Sequence, residues 1–196
     1  MKTVVLRDIC ELITKGTTPT TLGFSFTDTG VNFIKIENID AIGNIKIENI
    51  SHINSDCHLA LKRSQLKKGD ILFSIAGAIG RTAIVDDSIL PANTNQALAI
   101  IRLKDEDVNR EYLRCFLSSR AVIKQTERQK QGVAQINLSL KNIGDLIIKL
   151  PNYQEQLDIV NNIKTFSSLI NNKKSQLLAL DELVKSRFIE LFEKEE

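Results

Sequence analysis

The chain has 196 residues, with no tryptophan, one methionine, two tyrosines, three prolines and three cysteines. Each shortage excludes something. So few large rings disfavour a protein that grips single-stranded nucleic acid by stacking on bases. Cys10, Cys57 and Cys115 are too few and too scattered for a disulfide framework or a zinc site, which points to a reducing, cytoplasmic setting. No run approaches the roughly 20 apolar residues of a membrane helix, and the stretch 71–80 is too short. The opening segment meets Asp8 too early to be a signal peptide.

Catalytic signatures are lacking as well. The two histidines, His52 and His58, have no further metal ligands at usable spacing and read as surface or edge-strand residues. Neither a phosphate-cradling P-loop nor a dinucleotide fingerprint occurs, and Gly77-Ala78-Ile79-Gly80 is too short for either. No nucleophile elbow is present. No lysine follows an acid by two residues, the pairing common in metal-dependent nuclease cores. The nearest string to an amino-methyltransferase motif, Pro151-Asn152-Tyr153, has the wrong order. The expectation is a binding protein rather than an enzyme, with no metal and no cofactor of its own.

What is present is ordinary for a globular protein: 42% hydrophobic and 26% charged residues. The length suits one domain with an extension, or two small domains. The net charge of +2 is unevenly spread. Residues 155–196 carry six basic and eight acidic side chains, so the first 154 carry +4. A mildly basic body with an acidic tail is compatible with nucleic-acid binding.

The tail has the clearest pattern. From about Gln154 to Lys194 there is no glycine or proline. Ile163, Ile170, Leu177, Val184 and Leu191 recur every seven residues, with Ile159, Phe166 and Leu180 in the offset row, interrupted by Lys173 and Arg187. This spacing predicts a long helix with a coiled-coil seam, roughly 60 Å in length. The chain holds no second long helix of matching pattern, so the seam points to pairing with another chain or another copy. The alternative is a helix folded back on the body. The division expected is a body over 1–151 and a long helix over 152–196.

The body alternates short strands and short helices, an α+β composition. Leu6, Ile9, Cys10 and Ile13 have helical spacing and predict an opening amphipathic helix. A loop rich in threonine and glycine follows over 15–30, around Pro19. The hexapeptide Ile34-Lys35-Ile36-Glu37-Asn38-Ile39 recurs as Ile45-Lys46-Ile47-Glu48-Asn49-Ile50, each copy alternating like a half-buried strand, with a hairpin turn over 41–44. More buried strands are expected over 71–76, 82–85 and 97–103. A helix capped near Asn109 runs through Tyr112, Leu113, Phe116, Leu117 and Ile123. A short helical turn over 139–143 ends at Gly144, and a strand over 146–150 leads to Pro151.

Several strings, in order, resemble the specificity subunits of type I restriction–modification systems. They are Leu6-Arg7-Asp8-Ile9-Cys10-Glu11-Leu12-Ile13-Thr14-Lys15-Gly16-Thr17-Thr18-Pro19, Gly69-Asp70-Ile71-Leu72-Phe73-Ser74, Gly77 with Gly80, and Asn95-Gln96. The most specific is Gln135-Ile136-Asn137-Leu138, leading through Ile143 and Leu150-Pro151 to Glu155-Gln156. The resemblance implies a target-recognition domain that reads half of a split double-stranded DNA sequence, followed by a spacer helix that sets the gap between half-sites. It implies as partners a modification subunit, which methylates adenine with S-adenosylmethionine, and a motor-nuclease restriction subunit. Family members carry two such domains and two helices, whereas this chain has one of each. A two-fold dimer with antiparallel helices would restore the arrangement and read an interrupted palindrome. Ile159, Ile163, Phe166, Ile170, Leu177, Leu180, Val184 and Leu191 are the expected dimerisation residues.

DNA contact needs cations for phosphates and amide or guanidinium groups for base edges. For base readout the candidates are Lys15, Thr17, Thr18 and Thr20, and the dense segment Arg128, Gln129, Lys130 and Gln131. For phosphates they are Lys62, Arg63, Lys67 and Lys68, and Arg81 follows the glycine turn. Asn95, Gln96, Gln135 and Asn137 lie beside buried strands and are expected to satisfy backbone groups. Two other readings stay open: a coiled-coil adaptor that binds no DNA, and an inactive truncated specificity cassette.

Overall fold

The structure is a computed structural model, which describes residues 1–104, 107–128 and 138–192. Among these, the strands are β1 (Lys2–Val5), β2 (Cys10–Lys15), β3 (Val31–Ile34), β4 (Ser51–Ile53), β5 (Ile71–Ser74), β6 (Thr82–Ile84), β7 (Ala92–Thr94), β8 (Leu98–Leu103) and β9 (Ile147–Leu150). The helices are α1 (Ser55–Ala60), α2 (Arg110–Leu117), α3 (Arg120–Arg128), α4 (Leu140–Gly144) and α5 (Tyr153–Phe192). The fold is α+β, and the chain divides into two units, Met1–Gln156 and Leu157–Glu196.

The first unit is organised by an antiparallel sheet in the order β2-β8-β5-β6. Side chains alternate across a strand, so Ile71 and Phe73 face one side and Leu72 the other. The first side packs against Leu113, Leu117, Val122, Ile143 and Ile148. The second packs against Ile34, Ile39, Ile50 and Ala92. Cover on both faces explains why β5 reads as an unbroken apolar run. A smaller sheet, β4-β3-β7, pairs β3 antiparallel to β4 and parallel to β7. Its Val31, Phe33 and Ile53 pack on Cys57 and Leu61 at α1.

Three sequence expectations are corrected. The opening segment is strand, 3₁₀ turn, strand rather than a helix. Leu6 and Ile9 do share a face, but only over the single 3₁₀ turn Leu6–Ile9. The branched residues on either side find ladder partners instead, Val4 opposite Ile148 and Ile13 opposite Ile101. The helix expected through Ile123 is two helices. It stops at Ser118, whose N–H donates to the Arg114 carbonyl, and restarts at Arg120. The hexapeptide repeats do not form two matched strands. Residue Ile34 ends β3, Ile36–Asn38 form a 3₁₀ turn, and the second copy joins the first only through one bridge between Ile39 and Ile45. The turn itself falls where expected, with the Asp40 carboxylate accepting from the N–H groups of Ile42 and Asn44.

Helix starts follow the sequence closely. Asn109 caps α2 by accepting from Tyr112 N–H, and Ser139 caps α4. The long helix α5 is rooted within the first unit. Asn152 and Glu155 exchange hydrogen bonds in a capping box. Buried Gln156 accepts from Asn109 N–H at 2.8 Å and donates to the Pro151 carbonyl at 3.0 Å.

In the second unit all eight seam residues of α5 are exposed, from Ile159 at 37% to Leu191 at 68%. Leu169, Leu183 and Phe188 are also exposed and widen the apolar stripe beyond a strict heptad seam. No described helix is long and apolar enough to cross a membrane.

Candidate nucleic-acid interface

Register places the candidate cations at two ends of the main sheet. One cross-strand row runs Lys15, Ala99, Phe73, Thr82. The end beyond that row holds Lys15, the loop 75–80 and Arg81. Lys67 and Lys68 precede Ile71 at the opposite end.

At the first end the chain leaves β2 as a strap pressed on the β7–β8 turn. Gly16 N–H donates to the Leu98 carbonyl and Thr17 N–H to the Thr94 carbonyl. A Cβ on Gly16 would stand 2.0 Å from the Thr94 carbonyl oxygen, so only glycine allows this approach. Thr18 hydroxyl donates to Gln96 Oε1, while Thr21 hydroxyl donates to the Thr18 carbonyl. Pro19 opens a 3₁₀ turn that carries Thr20 and closes at left-handed Gly23. From the other side, Arg63 donates to Thr17 Oγ1 at 3.2 Å. Lys62 sits exposed on the same 3₁₀ turn as Arg63. Arg63, distant in sequence, thus joins the strap that carries Lys15, Thr17, Thr18 and Thr20. A cavity of about 280 Å³ adjoins them, lined by Lys15, Ile75, Ala76, Gln96, Ala97 and Leu138.

Other candidates are positioned differently. Arg81 immediately precedes β6 at the same sheet end, but its guanidinium donates to the Ile39 carbonyl and so holds the end of the first hexapeptide. At the far end Lys68 pairs with Asp87 at 2.5 Å, and hydrogen bonding to that carboxylate raises the lysine pKa. Lys67 belongs to a turn fixed by fully buried Asp70, whose carboxylate accepts from Lys67 N–H and takes Arg102 in a bidentate pair at 2.7 Å. Arg63 therefore stands beside the strap at one sheet end, and Lys67 and Lys68 at the other. Arg128 is exposed at the end of α3. Gln129, Lys130, Gln131, Gln135 and Asn137 lie outside the described residues. Asn95 accepts from Ala97 N–H, a backbone role, whereas exposed Gln96 buttresses the strap.

Sequence reasoning missed the polar network behind Arg63. Fully buried Asn93 donates through Nδ2 to the Leu61 carbonyl at 3.1 Å and to Ser64 Oγ at 3.0 Å, and its Oδ1 meets His58 Nδ1. No local string signalled it, because β7 reads Ala92-Asn93-Thr94 and its burial comes from the elements packed around it. Burial pushes the Cys10 thiol up to about 12, against the lowering effect of the Lys104 charge. Among the described residues no group of three or more His, Cys, Asp or Glu side chains could hold a metal.

Residues 1–180 match the family model of the type I restriction modification DNA specificity domain. The chain belongs to that family. Within it, this specificity domain is 29% identical over 150 residues to the type I restriction enzyme EcoBI specificity subunit of Escherichia coli, covering 76% of this chain and 31% of the relative. It is 26% identical over 155 residues to the MjaVIII specificity subunit of Methanocaldococcus jannaschii, covering 77% and 36%. The specificity domain thus spans about a third of the curated relatives it matches. Its fold resembles the HsdS subunit from Thermoanaerobacter tengcongensis, with TM-score 0.71 at 17% identity over 96% of this chain and 48% of that one. The type I S subunit from M. genitalium is more distant, at TM-score 0.56 and 13% identity over 96% and 44%.

Proposed function

We propose that this chain reads one half of a bipartite double-stranded DNA site, as the non-catalytic specificity component of a type I restriction–modification complex in the cytoplasm. The observation that carries the reading is the strap over 15–20. Family membership supplies the context, and the strap supplies a rigid cluster of Lys15, Thr17, Thr18, Thr20 and Arg63, with Gln96 behind it. Rigid presentation lowers the entropy cost of ordering side chains on a base edge. Lys62, Arg63, Lys67 and Lys68 are the phosphate cations of this reading, and Arg128 with Gln129, Lys130 and Gln131 adds a second polar segment for base readout.

In this reading α5 sets the spacing between half-sites and pairs antiparallel with the α5 of a second copy. Exposure of Ile159, Ile163, Phe166, Ile170, Leu177, Leu180, Val184 and Leu191 supports the pairing, because so long an apolar stripe is unfavourable in water. Methyl transfer belongs to a modification subunit that carries S-adenosylmethionine, and a motor-nuclease restriction subunit is a further partner.

Adenine methylation mapped across the source genome, with and without this gene, tests the reading. Loss of one interrupted palindrome is the expected result. Loss of an asymmetric split motif would replace the self-pairing by pairing with a different half. No change would overturn the DNA-recognition reading. In the same protein, Arg63→Ala together with Lys62→Ala should weaken duplex binding on every sequence and flatten its salt dependence by about two phosphate equivalents. Sedimentation of the purified protein at micromolar concentration, alone and with its modification partner, should show a dimer. A monomer in both cases would rule out self-pairing.

A further inference from the structure

The network behind the strap fixes the chemistry of one histidine. Asn93 lies fully buried on β7, and both hydrogens of its amide are committed, to the Leu61 carbonyl and to Ser64 Oγ. The reversed amide would set Oδ1 against the Leu61 carbonyl, acceptor facing acceptor, so Oδ1 must be the atom that faces His58. That oxygen can only accept. His58 Nδ1 therefore carries the proton and donates to it. In the neutral ring this leaves Nε2 as an acceptor. The ring is half-buried, and Nε2 has no hydrogen-bond partner among the described residues.

The position gives this acceptor meaning. His58 lies on α1, and α1 runs through Leu61 directly into the 3₁₀ turn of Lys62 and Arg63. The His58 carbonyl accepts from Gln65 Nε2, tying the ring's own backbone to that turn. Every charged group of the strap cluster is a donor: Lys15, Lys62 and Arg63. Such donors suit phosphates, whose oxygens only accept. A neutral imidazole nitrogen with a free lone pair cannot serve a phosphate. On duplex DNA the partners that fit it are the exocyclic amino groups of bases: adenine N6 and cytosine N4 in the major groove, and guanine N2 in the minor groove.

We propose that His58, held in its Nδ1–H tautomer by Asn93, is a specificity-determining residue that accepts a hydrogen bond from a base amino group in the half-site. This rests on the DNA-recognition reading above. Asn93 and Ser64 act as positioning residues, since they touch the ring or its anchor and not the DNA.

The test uses the full chain and the half-site found by methylation mapping. Each base of the half-site is replaced in turn by the analogue lacking its amino group: nebularine for adenine, pyrimidin-2-one for cytosine, inosine for guanine. At one position the wild-type protein should lose roughly three- to tenfold in affinity, the range of a single hydrogen bond. The analogue that acts names the base and the groove. At that position His58→Phe, which keeps ring volume, should bind the natural and the amino-deleted duplex equally. Additive losses from the two changes would overturn the proposal, as would the absence of any sensitive position. A second measurement needs no variant. With ¹⁵N-labelled histidine, His58 Nε2 should resonate as an unprotonated nitrogen in the free protein and move on binding the natural duplex, but not the amino-deleted one. A protonated Nε2 in the free protein, or equal movement with both duplexes, would overturn it. If no specific duplex exists at all, the DNA-recognition reading fails first, a result distinct from a specific site that ignores His58.

Discussion

The two units use the same apolar residue types in opposite ways. In the first, Ile71, Leu72 and Phe73 are wholly buried between layers supplied by the same chain. In the second, Leu177 is 61% and Leu180 58% exposed, on a helix of good propensity that covers nothing of itself. A leucine's burial is decided by what the rest of the chain brings to it, not by its own hydrophobicity. The first unit carries its own core, whereas the second leaves a long apolar stripe exposed.

Truncation separates the two regimes most sharply. Phe73→Ala should cost about 3–5 kcal/mol in the unfolding of the first unit, through lost transfer energy and the cavity left behind. Leu177→Ala, at an exposed position, should change the same unfolding by less than ~0.5 kcal/mol. It should instead weaken association, which sedimentation at falling concentration would read. A large loss of first-unit stability from Leu177→Ala would dissolve the contrast.

The twin hexapeptides carry the same lesson inside the first unit. Identical residues have different fates at the third position, where Ile36 packs partly buried against the core while its counterpart Ile47 is 51% exposed, although the sixth, Ile39 and Ile50, is buried in both copies. Period-two alternation reports a preference for a half-buried extended strand, and it cannot report which copy finds a neighbour. The first copy is claimed by β7, where Ile34 pairs with Thr94, and by the second face of the main sheet. The second copy has one bridge and then turns through Asn49, at positive φ, into β4. Ile39→Ala should therefore cost about 2–4 kcal/mol, and Ile47→Ala less than ~0.5, although the two lie in the same repeated string. Chemical denaturation of both variants under one condition checks the pair. Equal costs would mean that the second copy packs against something else in solution.

These cases mark what was legible in the sequence. The runs 71–74 and 98–103, the cap at Asn109, the helical turn near 139–143 and the long helix after Pro151 were readable because local pattern and tertiary environment agree there. The opening segment misled because Leu6 and Ile9 make one 3₁₀ turn whose spacing imitates the first turn of a helix. The strap was half legible: its loop residues stood out, but its meeting with Arg63 and Gln96 depends on β7 and β8 passing beneath it, which no local string records. The separation of Arg63 from Lys67 and Lys68 was not legible for a similar reason: four or five residues apart in sequence, they stand at opposite sheet ends, where the Lys67 N–H meets Asp70 and Lys68 meets Asp87.

A smaller loss than either core truncation is expected where α5 is rooted. Asn109 serves two neighbours with two different groups. Its side chain caps α2 at Tyr112 N–H, and its own N–H donates to Gln156 in the first turn of α5. Asn109→Ala removes only the first, because the backbone donor remains. The cost should be about 1 kcal/mol, the usual worth of an N-cap, and should appear as a fall of roughly 2–4 °C in the unfolding temperature of the first unit. Asn109→Asp keeps an acceptor for Tyr112 N–H and adds a negative charge at a helix N-terminus, so it should restore most of that loss. Association through α5 should be the same in both variants, since the backbone bond to Gln156 survives each change. A drop in association with Asn109→Ala would show that the side-chain cap and the root of the helix are one element rather than two.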